Sequence, residues 1–119
     1  MKQVLKISVV IGFCFFGAYS CGSGASGKGI EIASSTSYEA TIFRQNCAIC
    51  HGPEGNGKTI DGNQVPSLRV GDPASRSEDE IYRQIAFGKL LMPPFRNQLT
   101  ESEMRRMARF VKRDVQGRK

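Results

Sequence analysis

Tryptophan is absent, histidine occurs once, and only 39% of the 119 residues are hydrophobic. A chain with so little large apolar material can build one small core, and at this size it needs disulfides, a metal or a bound cofactor as a staple. No apolar run is long enough to cross a bilayer: Ile7–Tyr19 spans 13 residues, against the roughly 20 that a spanning helix requires. From Ile30 onward there is no internal repeat and no alternating apolar/polar run of strand length, which argues against a β architecture. Basic residues outnumber acidic ones, 17 to 11, without the Lys/Arg clustering of a nucleic-acid binder, so no nucleic acid is expected as a partner.

The N-terminus has Lys2 and Lys6, then the Ile7–Tyr19 run, then small residues before Cys21. This is the n-region, h-region and cleavage pattern of an export signal, expected over residues 1–20. Ala18-Tyr19-Ser20 suits an ordinary signal peptidase. Ala18-Tyr19-Ser20-Cys21 also resembles a bacterial lipobox, which implies lipidation of Cys21 and is the favoured reading, although Ala18 stands where that pattern usually has Leu. Cys14 would leave with the leader. The segment Gly22-Ser-Gly-Ala-Ser-Gly-Lys-Gly29 reads as a Gly/Ser linker, so residues 21–36 are expected to be a flexible tether and 37–119 the folded domain. Loss of Lys2 and Lys6 leaves 15 basic against 11 acidic residues, a mild net charge of +4 that suits docking onto acidic proteins.

Three segments carry helix start signals, and the expected fold class is all-α. The first opens at Thr36-Ser-Tyr-Glu39 and places Ala40, Phe43, Cys47 and Cys50 on one face. The second opens at Ser77-Glu-Asp-Glu80, sets Ile81 and Ile85 one turn apart and stops at Gly88. The third opens at Thr100-Glu-Ser-Glu103, turns Met104, Met107, Phe110 and Val111 inward and Arg105, Arg106, Arg109, Lys112 and Arg113 outward, and ends at Gly117. The stretch from Gly52 to Arg76 is long and rich in Gly, Asn, Asp and Pro, the mark of a loop wrapped round something.

Cys47-Ala48-Ile49-Cys50-His51 has the spacing of covalent haem attachment, in which two thiols add to the porphyrin vinyl groups and the next residue offers an imidazole to the iron. A structural zinc site needs four ligands, and outside the leader the chain has three thiols and one histidine, with Cys21 across the linker. A redox Cys-x-x-Cys of the thioredoxin type needs a βαβ setting that is not visible. A Cys47–Cys50 disulfide would close too small a ring to stabilise much. His51 is the sole histidine and follows the second cysteine directly, which makes it the proximal iron ligand.

From about Tyr38 to Val115 the chain resembles class I c-type cytochromes, with Cys-x-x-Cys-His early and a Met-Pro segment late, here Gly88-Lys-Leu-Leu-Met92-Pro93-Pro94-Phe95. The resemblance implies a small cytochrome c fold of three main helices and irregular loops round one covalent haem c. It implies Met92 as the second axial ligand, whose soft thioether favours ferrous iron, while Met104 and Met107 sit at helix-core spacing. It implies that Pro66 of Pro66-Ser67-Leu68 offers its carbonyl to His51, and that Phe43 packs at the crossing of the first and last helices against Met107 and Phe110. Where many members have glycine at that crossing this chain has Glu39, with Ala40 beside it. Phe43, Leu68, Ile81, Ile85 and Phe95 are the expected pocket around the cofactor, and Lys89 a replacement ligand at high pH.

The function this implies is one-electron transfer, not enzymatic catalysis, in a membrane-associated respiratory or related redox chain. Expected partners are membrane dehydrogenases and terminal oxidases, met by a monomer on the periplasmic side of a bacterial membrane through a lipid anchor. Arg44, Lys58, Lys89, Arg96 and the basic face of the third helix could guide docking or simply be solvated surface. Alternatives are a haem-based sensor with a labile sixth ligand, a haem subunit of a larger oxidoreductase complex, and a weak peroxidase, for which no second histidine is present.

Overall fold

The computed structural model describes residues 29–118. Cys14, Cys21 and the leader expected over 1–20 lie outside the described residues. No helix among the described residues is long and apolar enough to cross a membrane.

Helix α1 (Tyr38–Asn46) leads through Cys47 into the single turn α2 (Ala48–His51). A hairpin of β1 (Lys58–Ile60) and β2 (Asn63–Val65) and the short α3 (Asp72–Ser75) follow, then α4 (Glu78–Phe87) and α5 (Glu101–Arg109). Without a break α5 widens into a π-helical turn, Phe110–Val115. The fold is helical in its core, but the antiparallel hairpin, pairing Lys58 with Val65 and Ile60 with Asn63, departs from the all-α expectation. Strands of three residues are too short to leave an alternating pattern in the sequence.

Local side-chain chemistry starts each long helix. Ser77 and Thr100 cap α4 and α5, with Glu80 and Glu103 returning bonds to the cap backbone. At α1 the cap is Ser37, not Thr36: its hydroxyl accepts from Ala40 N at 3.1 Å. Glu39 is turned sideways to Arg106 of α5, Nε to Oε1 at 2.7 Å, and Ala40, fully buried, is the small residue at the helix crossing. Phe43 and Phe110 meet there with ring centroids 6.3 Å apart and planes tilted by 54°. Met104, Met107, Phe110 and Val111 all face the core as their spacing predicts.

Glu103 also accepts from Tyr38 Oη at 2.5 Å. That bond, then those from Thr100, holds its carboxyl down to about 2. A depressed carboxylate stabilises the fold above its ordinary range near 4.5 and loses that contribution as pH falls toward 2. Glu103→Gln is expected to melt below the wild type at pH 6, with the gap closing as melts are repeated down to pH 3.

The packed body begins earlier than the tether expectation placed it. Ile32 is fully buried, Ile30 N donates to Asp114 O at 2.8 Å, and Glu54 accepts from Ile32 N and Ala33 N, both at 2.8 Å. Arg69 completes the fastening, donating to the carbonyls of Glu54, Ile30 and Val115 and pairing with the Glu54 carboxylate at 3.1 Å. Arg44 donates to Ile32 O and Ser35 O, which ties α1 to the segment before it.

Candidate haem-binding site

The α1–α2 junction presents Cys47, Cys50 and His51 within one turn. The thiols are unpaired and half-buried. Burial, and secondarily Cys50, pushes the Cys47 thiol up to about 12, so it stays protonated. His51 Nδ1 lies 3.4 Å from Pro66 O. A carbonyl only accepts, so this contact requires Nδ1–H and leaves the Nε2 lone pair free for a metal. Burial pulls the imidazole below its usual range, against the opposing effect of the Pro66 bond, which keeps it neutral and fit to ligate.

Backbone geometry sets Pro66 in place. Gly57 N donates to His51 O at 2.8 Å, and a Cβ on Gly57 would lie 2.4 Å from Val65 O and 2.8 Å from Pro66 C. The glycine therefore lets the hairpin's return strand close over the Cys-His turn, a role the sequence alone did not reveal. Leu68 N is tied to Gly55 O at 2.8 Å.

The second loop departs from α4 at Gly88, with φ 71°. Lys89 N donates to Met92 O and Met92 N to Lys89 O, at 3.1 and 3.0 Å. Phe95 N donates to Ile85 O at 2.9 Å and fastens the far end of the loop to α4. Met92 is half-buried, and Gln84 Nε2 donates to its sulfur at 3.5 Å. Gln84 escaped the sequence reading because a glutamine among the charged residues of α4 looks like ordinary surface.

The structure draws most of the expected pocket together. Phe43, Ile81, Ile85 and Phe95 belong to one buried cluster, and Cys47, Leu68 and Met92 pack against it; Pro66 is exposed and reaches the site only through His51. Among the described residues no group of three His, Cys, Asp or Glu converges as a metal cage. Two thiols, a neutral imidazole with a free nitrogen and an apolar wall fit a covalent haem.

Residues 39–111, more than half of the chain, match the family model described as cytochrome c oxidase, cbb3-type, subunit III. The chain belongs to that family. It is a monohaem c-type cytochrome, an electron-carrying protein with one covalently attached haem c, and Cys47, Cys50 and His51 fit the attachment motif. It is 38% identical over 76 residues to the cbb3-type cytochrome c oxidase subunit CcoP of Cereibacter sphaeroides, covering 60% of this chain but 25% of that protein. Cytochrome c6 of Parathermosynechococcus lividus is 33% identical over 73 residues, 60% of this chain and 82% of that one. Among solved structures, the KustC0563 c-type cytochrome superposes with a TM-score of 0.51 at 26% identity, over 66% of this chain and 95% of the other.

Proposed function

We propose that the chain is a one-electron carrier, not an enzyme, in which His51 and Met92 are the axial ligands of its haem c. Bound in this site, the haem supplies a one-electron Fe(III)/Fe(II) couple. The observation that carries the reading is the fixing of Met92: its loop is closed by two backbone hydrogen bonds and its sulfur is met by Gln84, so a soft donor is held against the same core that Cys47 packs on. His51 offers Nε2 while Pro66 fixes its tautomer. Phe43, Leu68, Ile81, Ile85 and Phe95 would exclude water from the site, and His51 and Met92 would offer the same two donors in both oxidation states.

The setting proposed is an exported monomer with residues 1–20 removed and Cys21 lipidated, on the periplasmic side of a bacterial membrane, exchanging electrons with dehydrogenases and terminal oxidases. The n-region, h-region and lipobox-like residues before Cys21 support export. The likeness to a stretch of an oxidase subunit supports a respiratory partner.

Spectroscopy of the purified holoprotein tests the ligation. The oxidised form is expected to show a weak near-infrared sulfur-to-iron band, and the reduced form to resist carbon monoxide. Met107→Leu should leave the band intact. A missing band with rapid carbon monoxide binding in the wild type would instead make the protein a sensor with an open or labile sixth position.

A further inference from the structure

Of the asparagines and aspartates in the chain, only Asn56 and Asp61 are followed by glycine. A glycine leaves its own amide nitrogen open to the side chain before it, because it has no Cβ to stand in the way. In both pairs that nitrogen can attack the side-chain carbonyl carbon and close a five-membered imide. The asparagine pair is chemically the faster, since an amide loses ammonia directly whereas a carboxylate must be protonated before it loses water. On residue identity alone, the labile position is Asn56.

The fold reverses that order. Gly57 N donates to His51 O at 2.8 Å, so the atom that would attack is already engaged. Its backbone is also wedged: a Cβ on Gly57 would lie 2.4 Å from Val65 O, 2.7 Å from Ser67 N and 2.8 Å from Pro66 C. Ring closure at Asn56 would turn Gly57 out of that contact and break the bond to His51 O. It therefore needs a local opening of the turn that carries the attachment motif. Asn56 is exposed, but exposure of its side chain does not free the neighbouring nitrogen.

Asp61 and Gly62 form the two-residue tip between β1 and β2, at φ 48° and 78°. Gly62 N donates to no acceptor among the described residues, and nothing lies within 4 Å of where a Cβ on Gly62 would stand. The side-chain bonds round the tip run from Thr59 Oγ1 to Gln64 Oε1, from Gln64 Nε2 to Val65 O and from Asn63 Nδ2 to the backbone carbonyl of Asp61. None of them holds the Asp61 carboxylate, which is exposed to solvent.

We propose that Asp61–Gly62 is a site of spontaneous modification, the conversion of Asp61 to isoaspartate, and that the fold silences Asn56–Gly57. Gly62 N bonds to Asp61 Cγ, the bond from Cγ to its hydroxyl oxygen breaks, and water leaves with the amide proton. Solvent water then opens the imide at the former main-chain carbonyl, breaking its bond to Gly62 N and returning a proton to that nitrogen. The main chain now runs through Cγ and the old main-chain carbonyl becomes the free carboxylate, with no net gain or loss of atoms or electrons. The extra backbone carbon makes the tip too long for the Ile60–Asn63 pair, so the outer end of the hairpin opens. Its inner end stays closed, because Gly57 N and Leu68 N are fastened to His51 O and Gly55 O.

The test ages the full-length holoprotein in heavy-oxygen water and reads tryptic peptides by mass spectrometry. The peptide Thr59–Arg69 is expected to take up heavy oxygen and to split into two chromatographic forms, one of them a substrate for isoaspartate methyltransferase. Gln45–Lys58, which carries Asn56, should keep its side-chain amide. Asp61→Asn then sets the same Asn-Gly pair in both places, and asparagine suits a tip of positive φ, so the hairpin is retained. In the folded variant the tip should lose its amide at least about tenfold faster than Asn56, and in guanidinium the two should react alike. A wild-type Thr59–Arg69 peptide without heavy oxygen overturns the proposal, as do equal rates at the two sites in the folded variant. A rate difference that persists in guanidinium overturns it too, by placing the cause in the flanking residues and not in the fold.

Discussion

Under the proposed ligation, Gly88→Ala is expected to take the Met92 sulfur off the iron. The residue holds φ 71°, where an alanine pays roughly 1–2 kcal/mol. The larger effect is steric: a Cβ there would stand 2.4 Å from Met92 O and 2.9 Å from Pro93 C, so the backbone of Met92 itself must move. Because the Lys89–Met92 bonds close the loop so tightly, the displacement has nowhere to be absorbed except at Met92. The near-infrared band should vanish, reduced protein should take up carbon monoxide, and the midpoint should fall by a sizeable part of the roughly 0.8 V over which axial ligands set haem potentials. Met92→Ala should give the same three readouts. A Gly88→Ala protein with its band and midpoint intact would show that the loop can shift without dragging the sulfur.

Phe43→Ala should produce the largest loss of stability. Phe43 is fully buried in α1, tilted against Phe110, and shares its cluster with Met107 and Val115. Emptying such a position costs about 3–5 kcal/mol. For a body of this size that lowers the melting temperature by more than about 12 °C. Thermal melts of the holoprotein followed by far-ultraviolet circular dichroism measure it, and a drop of a few degrees would mean that the crossing carries far less of the core than its burial implies.

The contrast between what the chain announces and what only the fold shows follows sequence separation. The caps at Ser77 and Thr100 and the inward face of α5 were readable because their interactions span three or four residues. The haem-attachment motif was readable because five consecutive residues carry it. The assignment of Ile30 to Thr36 to a tether failed because the groups that pin this segment, Glu54, Arg69 and Asp114, lie far along the chain and no local pattern connects them. The pairing of the arginines on and after α5 escapes the sequence for the same reason: Glu39 and Glu78, which engage Arg106, Arg109 and Arg113, sit on other helices. Gly57 and Gln84 matter through a close approach and a bond to sulfur, neither of which residue identity advertises.

The fastening of Ile30 and Ile32 divides this protein's tolerance for changes of length. Under the proposed anchoring, adding or removing residues before Gly29 would alter how far the cytochrome stands from the membrane and leave each contact described here in place. A deletion only a few residues further on withdraws Ile32 from the core and strips Glu54 and Arg69 of their backbone partners. Under the proposed tethering, length can therefore be varied before Gly29 alone, and beyond it reach and stability can no longer be changed separately.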